Sequence, residues 1–177
     1  MGSLVDMQTV VLGPRPAELD ALIERRRALG IDLYDEVWKG SYHMARAAHP
    51  SHGYLDDQLA VALRPHAVAA GLVGTGPFNL GSADDYRVPD RGLHRGLPSQ
   101  VWVPTAAIVV EIASPDDETY DKFDFYFARG VDEMIIADPA TRRITLWSRN
   151  DSRFIESVAS RLLSLDVAQL SSLVAWP

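Results

Sequence analysis

The segment that runs from residue 105 to residue 113, TAAIVVEIA, constrains the fold of this chain more strongly than any other. An unbroken apolar run of this length is typical of a central strand that is buried on both faces of a sheet. Glu111 interrupts the run, although burial of an ionised carboxylate is costly unless a metal ion or a cationic side chain compensates it. We therefore predict a buried central strand that carries a functional carboxylate. The alternative is that Glu111 faces solvent at the end of the strand.

The N-terminal half of the chain predicts two helices and a hairpin. Residues 16–30 contain helix formers throughout, with a proline at the start and a glycine at the end. Residues 36–45 alternate in polarity and contain Val, Trp and Tyr, as expected for two strands joined by a turn at residues 39–40. A second helix is expected over residues 53–70, kinked or broken at Pro65.

The C-terminal part predicts strands with one embedded helix. The strands are expected at residues 72–80, 86–93, 133–137 and 142–148 and near Phe154. The embedded helix should have Ser114 as its N-cap and Pro115 at its first position, and it should stop at Gly130. A short helix is expected near Val167, and residues 92–104 are irregular enough to form a mobile loop beside a site.

Composition limits the classes of protein to which this chain can belong. Its 177 residues are 47% hydrophobic and 23% charged, which fits a single domain over residues 1–177, with residues 1–15 as a less ordered N-terminal segment. Cysteine is absent, which excludes disulfides, thiolate metal sites and cysteine nucleophiles. The sequence has neither the features of a signal peptide nor an apolar run as long as a membrane span, so we expect a cytoplasmic protein without a membrane partner.

Two further charged residues have positions that fit a site with Glu111. Asp90 closes an extended segment, and the interval to Glu111 is long enough to bring two neighbouring strands together with both carboxylates on one side. Lys122 lies 11 positions after Glu111, on a helix whose Tyr126 should face the core, and it can reach back over the end of the strand. Two carboxylates, a backbone carbonyl and water suit a small hard cation such as magnesium, and a nearby ammonium can orient an attacking water. The alternatives for Lys122 are a surface partner of Glu118 at i,i+4 or a solvated lysine of the helix.

Several short segments follow the order found in a known family. These segments are Val88-Pro89-Asp90, residues 109–115, Asp121-Lys122, residues 129–131 and residues 135–139. They resemble the bacterial Uma-type family, described as restriction endonucleases, of the PD-(D/E)xK nuclease superfamily. The resemblance implies an α/β, restriction-endonuclease-like fold in which a central mixed β-sheet is flanked by helices.

The resemblance also implies roles for individual residues. Asp90 and Glu111 would bind the metal ion. We expect this ion to be Mg²⁺, or Mn²⁺ in its place, with the carbonyl of Ile112 as a further ligand. Lys122 would be the lysine of the superfamily pattern, displaced from the strand onto the following helix. Glu36 would be an auxiliary acid.

We therefore predict a magnesium-dependent endonuclease that hydrolyses DNA phosphodiester bonds by a metal-activated water, and we expect a homodimer. The formal net charge of −7 argues against non-specific binding of nucleic acid, which depends on basic side chains that neutralise phosphates. Two alternatives stay open for this reason. One is a non-catalytic binding or assembly module that keeps the nuclease fold, and the other is a hydrolase of small phosphorylated substrates.

Three histidines, His43, His49 and His52, lie close together in the sequence. Because no HExxH pattern or cysteine accompanies them, a zinc site is not favoured. His52 is retained as a candidate, since the resembling family often has a histidine at the start of a helix.

Overall fold

Two six-stranded sheets dominate the computed structural model, which describes residues 10–12, 16–45, 49–114 and 118–177. The strands and helices in chain order are β1 (Val10–Leu12), α1 (Ala17–Ala28), β2 (Glu36–Trp38), β3 (Ser41–Met44), α2 (Pro50–Ala69), β4 (Val73–Thr75), β5 (Asn79–Ser82), β6 (Asp85–Arg87), β7 (Arg91–His94), β8 (Trp102–Val103), β9 (Ile108–Ile112), a 3-10 helix (Thr119–Lys122), α3 (Phe123–Ala128), β10 (Glu133–Asp138), β11 (Arg143–Arg149), β12 (Phe154–Ser157), β13 (Ala159–Ser160), β14 (Leu165–Asp166) and α4 (Val167–Leu173). Within the predicted N-terminal segment, residues 10–12 form a strand, and residues 1–9 and 13–15 lie outside the described part of the chain.

The sheet that contains β9 has the strand order β12-β11-β10-β9-β7-β4. β9 and β10 run parallel and the other neighbours run antiparallel, so the sheet is mixed. Every residue of β9 is buried, as the apolar run predicts. The even-numbered residues of β9 pack with α2 and α4 on one face, whereas Val109 packs on the other face with Tyr126. Because side chains alternate along a strand, Glu111 lies on the same face as Val109 and Tyr126.

The other sheet has the order β1-β3-β2-β6-β5-β8 and contains the predicted hairpin. β2 and β3 are antiparallel and are joined at Lys39 and Gly40, which both have positive φ angles, of 50° and 85°. A two-residue turn of this kind matches the twist of the strands that it joins. β2 also pairs with β6 at Val37 and Tyr86, which brings Glu36 close to the chain that leads into β7.

The embedded helix is shorter than the sequence pattern predicts. The described chain becomes helical at Thr119, as a 3-10 helix that runs into α3. The predicted first position, Pro115, lies outside the described residues. The predicted stop is confirmed, because Gly130 adopts a φ angle of 80°, which is favourable for glycine after a helix.

Two predicted strands are each divided between the two sheets. The segment 72–80 forms β4 in one sheet and the start of β5 in the other, and the segment 86–93 is divided between β6 and β7. Pro77 and Pro89 lie at the two points of division. A proline has no N–H to donate to a neighbouring strand, so each strand tends to be interrupted at its proline. The prediction of continuous strands was therefore wrong, and the change of sheet places Asp90 immediately before β7.

Two further predictions need correction. α2 is continuous through Pro65, so a break there is wrong; Pro65 and Val61 are exposed, and water can reach the carbonyl that loses its helical partner. The loop predicted over residues 92–104 is irregular only in its centre, because it begins in β7 and ends in β8.

No helix in the described residues is both long and apolar enough to cross a membrane.

Candidate functional site

Asp90 and Glu111 lie side by side at the ends of neighbouring strands. β7 and β9 pair antiparallel with Arg91 opposite Val110, and one further step places Asp90 opposite Glu111 on the same face. Oδ2 of Asp90 accepts the backbone N–H of Ile112 at 2.7 Å. This side chain therefore continues the ladder between the strands and is anchored to the end of β9.

The neighbouring helix α2 is tied to the same end of β7. Arg91 donates to both carboxylate oxygens of Asp56 in α2, at 2.6 and 2.9 Å. His52, in the first turn of α2, has its Nε2 atom 3.3 Å from Oδ1 of Asp90. Asp90 is thus held from two sides, by the backbone of β9 and by a histidine of α2.

Glu111 is a buried carboxylate with only 4% of its surface exposed. Burial raises the pKa of Glu111 to about 8; the positive charge of Lys122 opposes this shift, and the charges of Asp90 and Glu36 add to it. The hydroxyl of Tyr126 donates to Oε1 of Glu111 at 2.5 Å, and this hydrogen bond also favours the charged form. The protein alone therefore compensates the charge of Glu111 incompletely.

Lys122 reaches back over the end of β9, as predicted. Its Nζ atom lies 2.9 Å from Oε1 of Glu36 and 3.4 Å from Oε1 of Glu111. The residue is buried, which contradicts the alternative of a solvated lysine on the helix surface. The 3-10 helix that ends at Lys122 brings the ammonium group to this point.

Glu36 is buried beside Lys122, and protein donors reach both of its carboxylate oxygens. Oε1 accepts the backbone N–H of Val88 at 2.8 Å as well as the hydrogen bond from Lys122. Oε2 accepts the indole N–H of Trp38 at 2.6 Å. The structure therefore brings Glu36 into the same cluster as Asp90 and Glu111, with its oxygens already engaged.

The donor set fits a small hard cation that keeps part of its hydration. Among the described residues, no group of three or more His, Asp or Glu side chains is arranged to hold a metal ion. Two carboxylates, of Asp90 and Glu111, do meet at the strand ends. Within an extended strand, the N–H and C=O of one residue point to the same edge, so the carbonyl of Ile112 faces the side on which Asp90 accepts its N–H. Magnesium is commonly bound by one or two carboxylates with water as the remaining ligands.

Comparison with known proteins places this chain in a family. Residues 35–175 match the family model described as "Uma2: Putative restriction endonuclease". The chain belongs to the Uma2 family. No curated protein matches the sequence at a significant level.

A solved structure shares the fold of this Uma2-family chain. It is described as a "putative nuclease belonging to DUF820" from Anabaena variabilis, and it superposes with a TM-score of 0.57 at 12% sequence identity. The match covers 78% of this chain and 90% of the other. The predicted α/β, restriction-endonuclease-like fold with a mixed sheet flanked by helices is confirmed.

Sequence reasoning missed the roles of two aromatic residues in this Uma2-family site. Tyr126 was expected only to face the core, whereas its hydroxyl contacts Glu111. Trp38 was given no role in the site, whereas it stacks on His43 with ring centroids 4.6 Å apart and lies under the guanidinium of Arg87, 4.2 Å from its ring centroid. The available signal was the polar group that each ring carries, the Tyr126 hydroxyl and the Trp38 indole N–H. Such a group needs a hydrogen-bond partner when the ring is buried among apolar residues.

The three histidines have separate environments. His49 contacts Ser51 at the start of α2, and His43 stacks on Trp38 with its Nδ1 atom 3.4 Å from Glu118. Burial lowers the pKa of His43, so its neutral form is favoured. His52 alone of the three lies against Asp90.

Proposed function

We propose that this chain is a metal-dependent nuclease that hydrolyses phosphodiester bonds of DNA. Its membership of the Uma2 family and its fold support a nuclease-like function. The observation that carries the proposal is the position of Lys122, whose ammonium lies 3.4 Å from Glu111 while Asp90 is opposite Glu111 at the strand ends. Paired carboxylates with an adjacent ammonium are the groups that metal-assisted phosphodiester hydrolysis needs.

Asp90 and Glu111 would hold Mg²⁺, or Mn²⁺ in its place, with the carbonyl of Ile112 as a further ligand. When bound, such an ion supplies Lewis-acid activation of a phosphoryl oxygen and makes a coordinated water more acidic. Asp90 needs little reorganisation for this role, because the N–H of Ile112 and the ring of His52 already orient its carboxylate. Glu111 has a raised pKa, and a neighbouring divalent charge would favour its ionised form.

Lys122 would orient the attacking water and stabilise the negative charge that develops on the phosphoryl group. We assign Glu36 a positioning role in place of the auxiliary acid that the resemblance implies. Both oxygens of Glu36 accept hydrogen bonds from protein donors, and one of these donors is Lys122. A carboxylate engaged in this way fixes the ammonium and has little capacity left to exchange protons with a substrate.

A second candidate function is hydrolysis of small phosphorylated molecules. The net charge of −7 favours it, because a long polyanion is repelled by an acidic protein more strongly than a small one. The same site chemistry applies to both substrates. The expected homodimer stays a prediction, which sedimentation equilibrium of the purified chain tests.

Nicking of supercoiled plasmid in the presence of Mg²⁺ or Mn²⁺ tests the proposed function. The variants Glu111→Gln and Lys122→Met should each lower the rate by about 100-fold or more, the scale of loss when a group that acts in the transition state is removed. Lys39→Met is the matched control, because Lys39 is exposed in the turn between β2 and β3. Its rate should equal that of the wild type.

Three outcomes separate the alternatives. Equal rates in all four proteins would indicate a contaminating nuclease and remove the proposal. Cleavage of nucleotides or other small phosphorylated molecules without cleavage of plasmid or single-stranded DNA would favour the second candidate. Absence of any cleavage, together with absence of Mn²⁺ binding, would favour a non-catalytic module.

A further inference from the structure

Tyr126 is a fully buried residue of α3 whose hydroxyl donates to Glu111. The neighbouring positions Phe123, Phe125 and Phe127 are phenylalanines, and a phenylalanine at position 126 would fill nearly the same volume. A buried hydroxyl is costly unless it has a hydrogen-bond partner. The carboxylate of Glu111 is the partner here, so the Tyr126 hydroxyl is hydrogen-bonded to a residue of the candidate site.

The hydrogen bonds to Glu111 are distributed unevenly between its two oxygens. The hydroxyl of Tyr126 and the ammonium of Lys122 both reach Oε1. Both of these hydrogen bonds are made to Oε1, and no described residue donates a hydrogen bond to Oε2. The protein therefore fixes this carboxylate through one oxygen, and the other oxygen is left for a ligand from outside the chain.

The position of α3 does not depend on the Tyr126 hydroxyl. Phe123 packs edge-on against Trp147 and Phe154, with ring centroids 5.1 and 5.8 Å away. At the end of the helix, Arg149 donates to the carbonyl of Phe127 and its guanidinium lies over the Phe127 ring at 3.8 Å. These contacts hold the helix against the sheet and do not involve the Tyr126 hydroxyl.

We propose that Tyr126 is a positioning residue that fixes the Glu111 carboxylate so that Oε2 is presented to a divalent cation. This inference rests on the proposed function, in which Glu111 is a ligand of that cation. Tyr126 acts through Glu111 and touches neither the cation nor the substrate. Residues that orient a metal ligand by hydrogen bonding commonly alter metal affinity when they are replaced.

The test is a comparison of Tyr126→Phe with Tyr42→Phe. Tyr42 is a matched control because it is also buried and its hydroxyl donates to a buried carboxylate, Oδ2 of Asp35, at 2.7 Å. Each variant removes one oxygen atom and one hydrogen bond to a carboxylate. Mn²⁺ affinity is measured by titration calorimetry on the full chain, and the melting temperature is measured on the same samples.

We expect the two variants to lose similar thermal stability and to differ in metal binding. Tyr126→Phe should bind Mn²⁺ about 10-fold more weakly than the wild type, the lower end of the loss seen when an orienting partner of a ligand is removed. Tyr42→Phe should bind Mn²⁺ as the wild type does. Wild-type affinity in Tyr126→Phe would overturn the inference and leave the proposed function standing.

Two other results would also decide the question. If Tyr126→Phe fails to fold while Tyr42→Phe folds, the hydroxyl has a structural role and the inference is overturned. If the wild type itself does not bind Mn²⁺, the proposed function fails and this inference fails with it.

Discussion

Oδ2 of Asp90 accepts the backbone N–H of Ile112 at 2.7 Å, so a side chain of one strand takes the place of a main-chain acceptor at the end of its neighbour. The hydrogen bond fixes Asp90 next to Glu111, with which it shares a face of the sheet. Two carboxylates held close together in a mostly buried setting repel one another. The pair is therefore arranged for a cation, which would remove that repulsion.

Glu111→Gln should change how the stability of the metal-free protein depends on pH. Burial raises the pKa of Glu111 in the folded state to about 8, above its ordinary value of 4.5. Between these values the folded state binds more protons than the unfolded state, so stability is greatest below the ordinary pKa and falls as pH rises towards 8. The glutamine variant should lose this part of the pH dependence and melt at a higher temperature than the wild type at pH 8.

Melting curves in the presence of EDTA between pH 5 and pH 9 measure this effect. Glu156→Gln is the control, because Glu156 is exposed and lies on β12, away from the site. A wild-type melting temperature that does not fall between pH 5 and pH 8, or a glutamine variant with the same fall as the wild type, would contradict the prediction.

Trp38→Phe should slow plasmid nicking while keeping most of the packing around the ring. The change removes the indole N–H that holds Oε2 of Glu36 at 2.6 Å, and Glu36 in turn holds Lys122. We expect a rate about 10-fold lower, because partners that orient an active group typically contribute on this scale. Trp147→Phe is a matched control, since the indole N–H of Trp147 bonds to Thr145. Equal rates in the two variants would argue against an effect of Trp38 on the position of Lys122 through Glu36.

Gly92→Ala should destabilise β7, the strand that Asp90 immediately precedes. A Cβ atom at Gly92 would lie 2.5 Å from both the His94 and the Phe78 rings. Overpacking of this kind costs roughly 1–3 kcal/mol in the free energy of unfolding, which urea denaturation measures. Gly96→Ala is the control, because a Cβ atom there would meet nothing within 4 Å. A Gly92→Ala protein as stable as the control would show that the two rings move apart at little cost.

Local patterns predicted those parts of the fold that depend on neighbouring residues. The apolar run identified β9 as a central strand, and the turn at Lys39 and Gly40 identified the hairpin. The division of residues 72–80 and 86–93 between two sheets was not predicted. Strand partners are chosen by long-range packing, and an apolar pattern shows that a segment is extended but not which sheet it joins.

The same distinction applies to the candidate site. Asp90, Glu111 and Lys122 were identified because they are charged residues at extended or apolar segments and occur in the order found in the resembling family. The hydrogen bond between Lys122 and Glu36 joins residues 86 positions apart, and no local pattern reports such a contact. Tyr126 was missed for the same reason, because its partner Glu111 is 15 positions away. The contact of Trp38 with Glu36 is different, since these residues are two positions apart on one face of β2 and the alternation of the strand could have indicated it.

The central claim is that Asp90 and Glu111 share one divalent cation, and Mn²⁺ titration calorimetry tests it most directly. The wild type should bind one Mn²⁺ ion per chain at this site, and Asp90→Ala and Glu111→Ala should each abolish that binding. Asp84→Ala is the control, because this aspartate is exposed in the turn between β5 and β6, and it should bind Mn²⁺ as the wild type does. Binding of Mn²⁺ with wild-type affinity by both Asp90→Ala and Glu111→Ala would contradict the account.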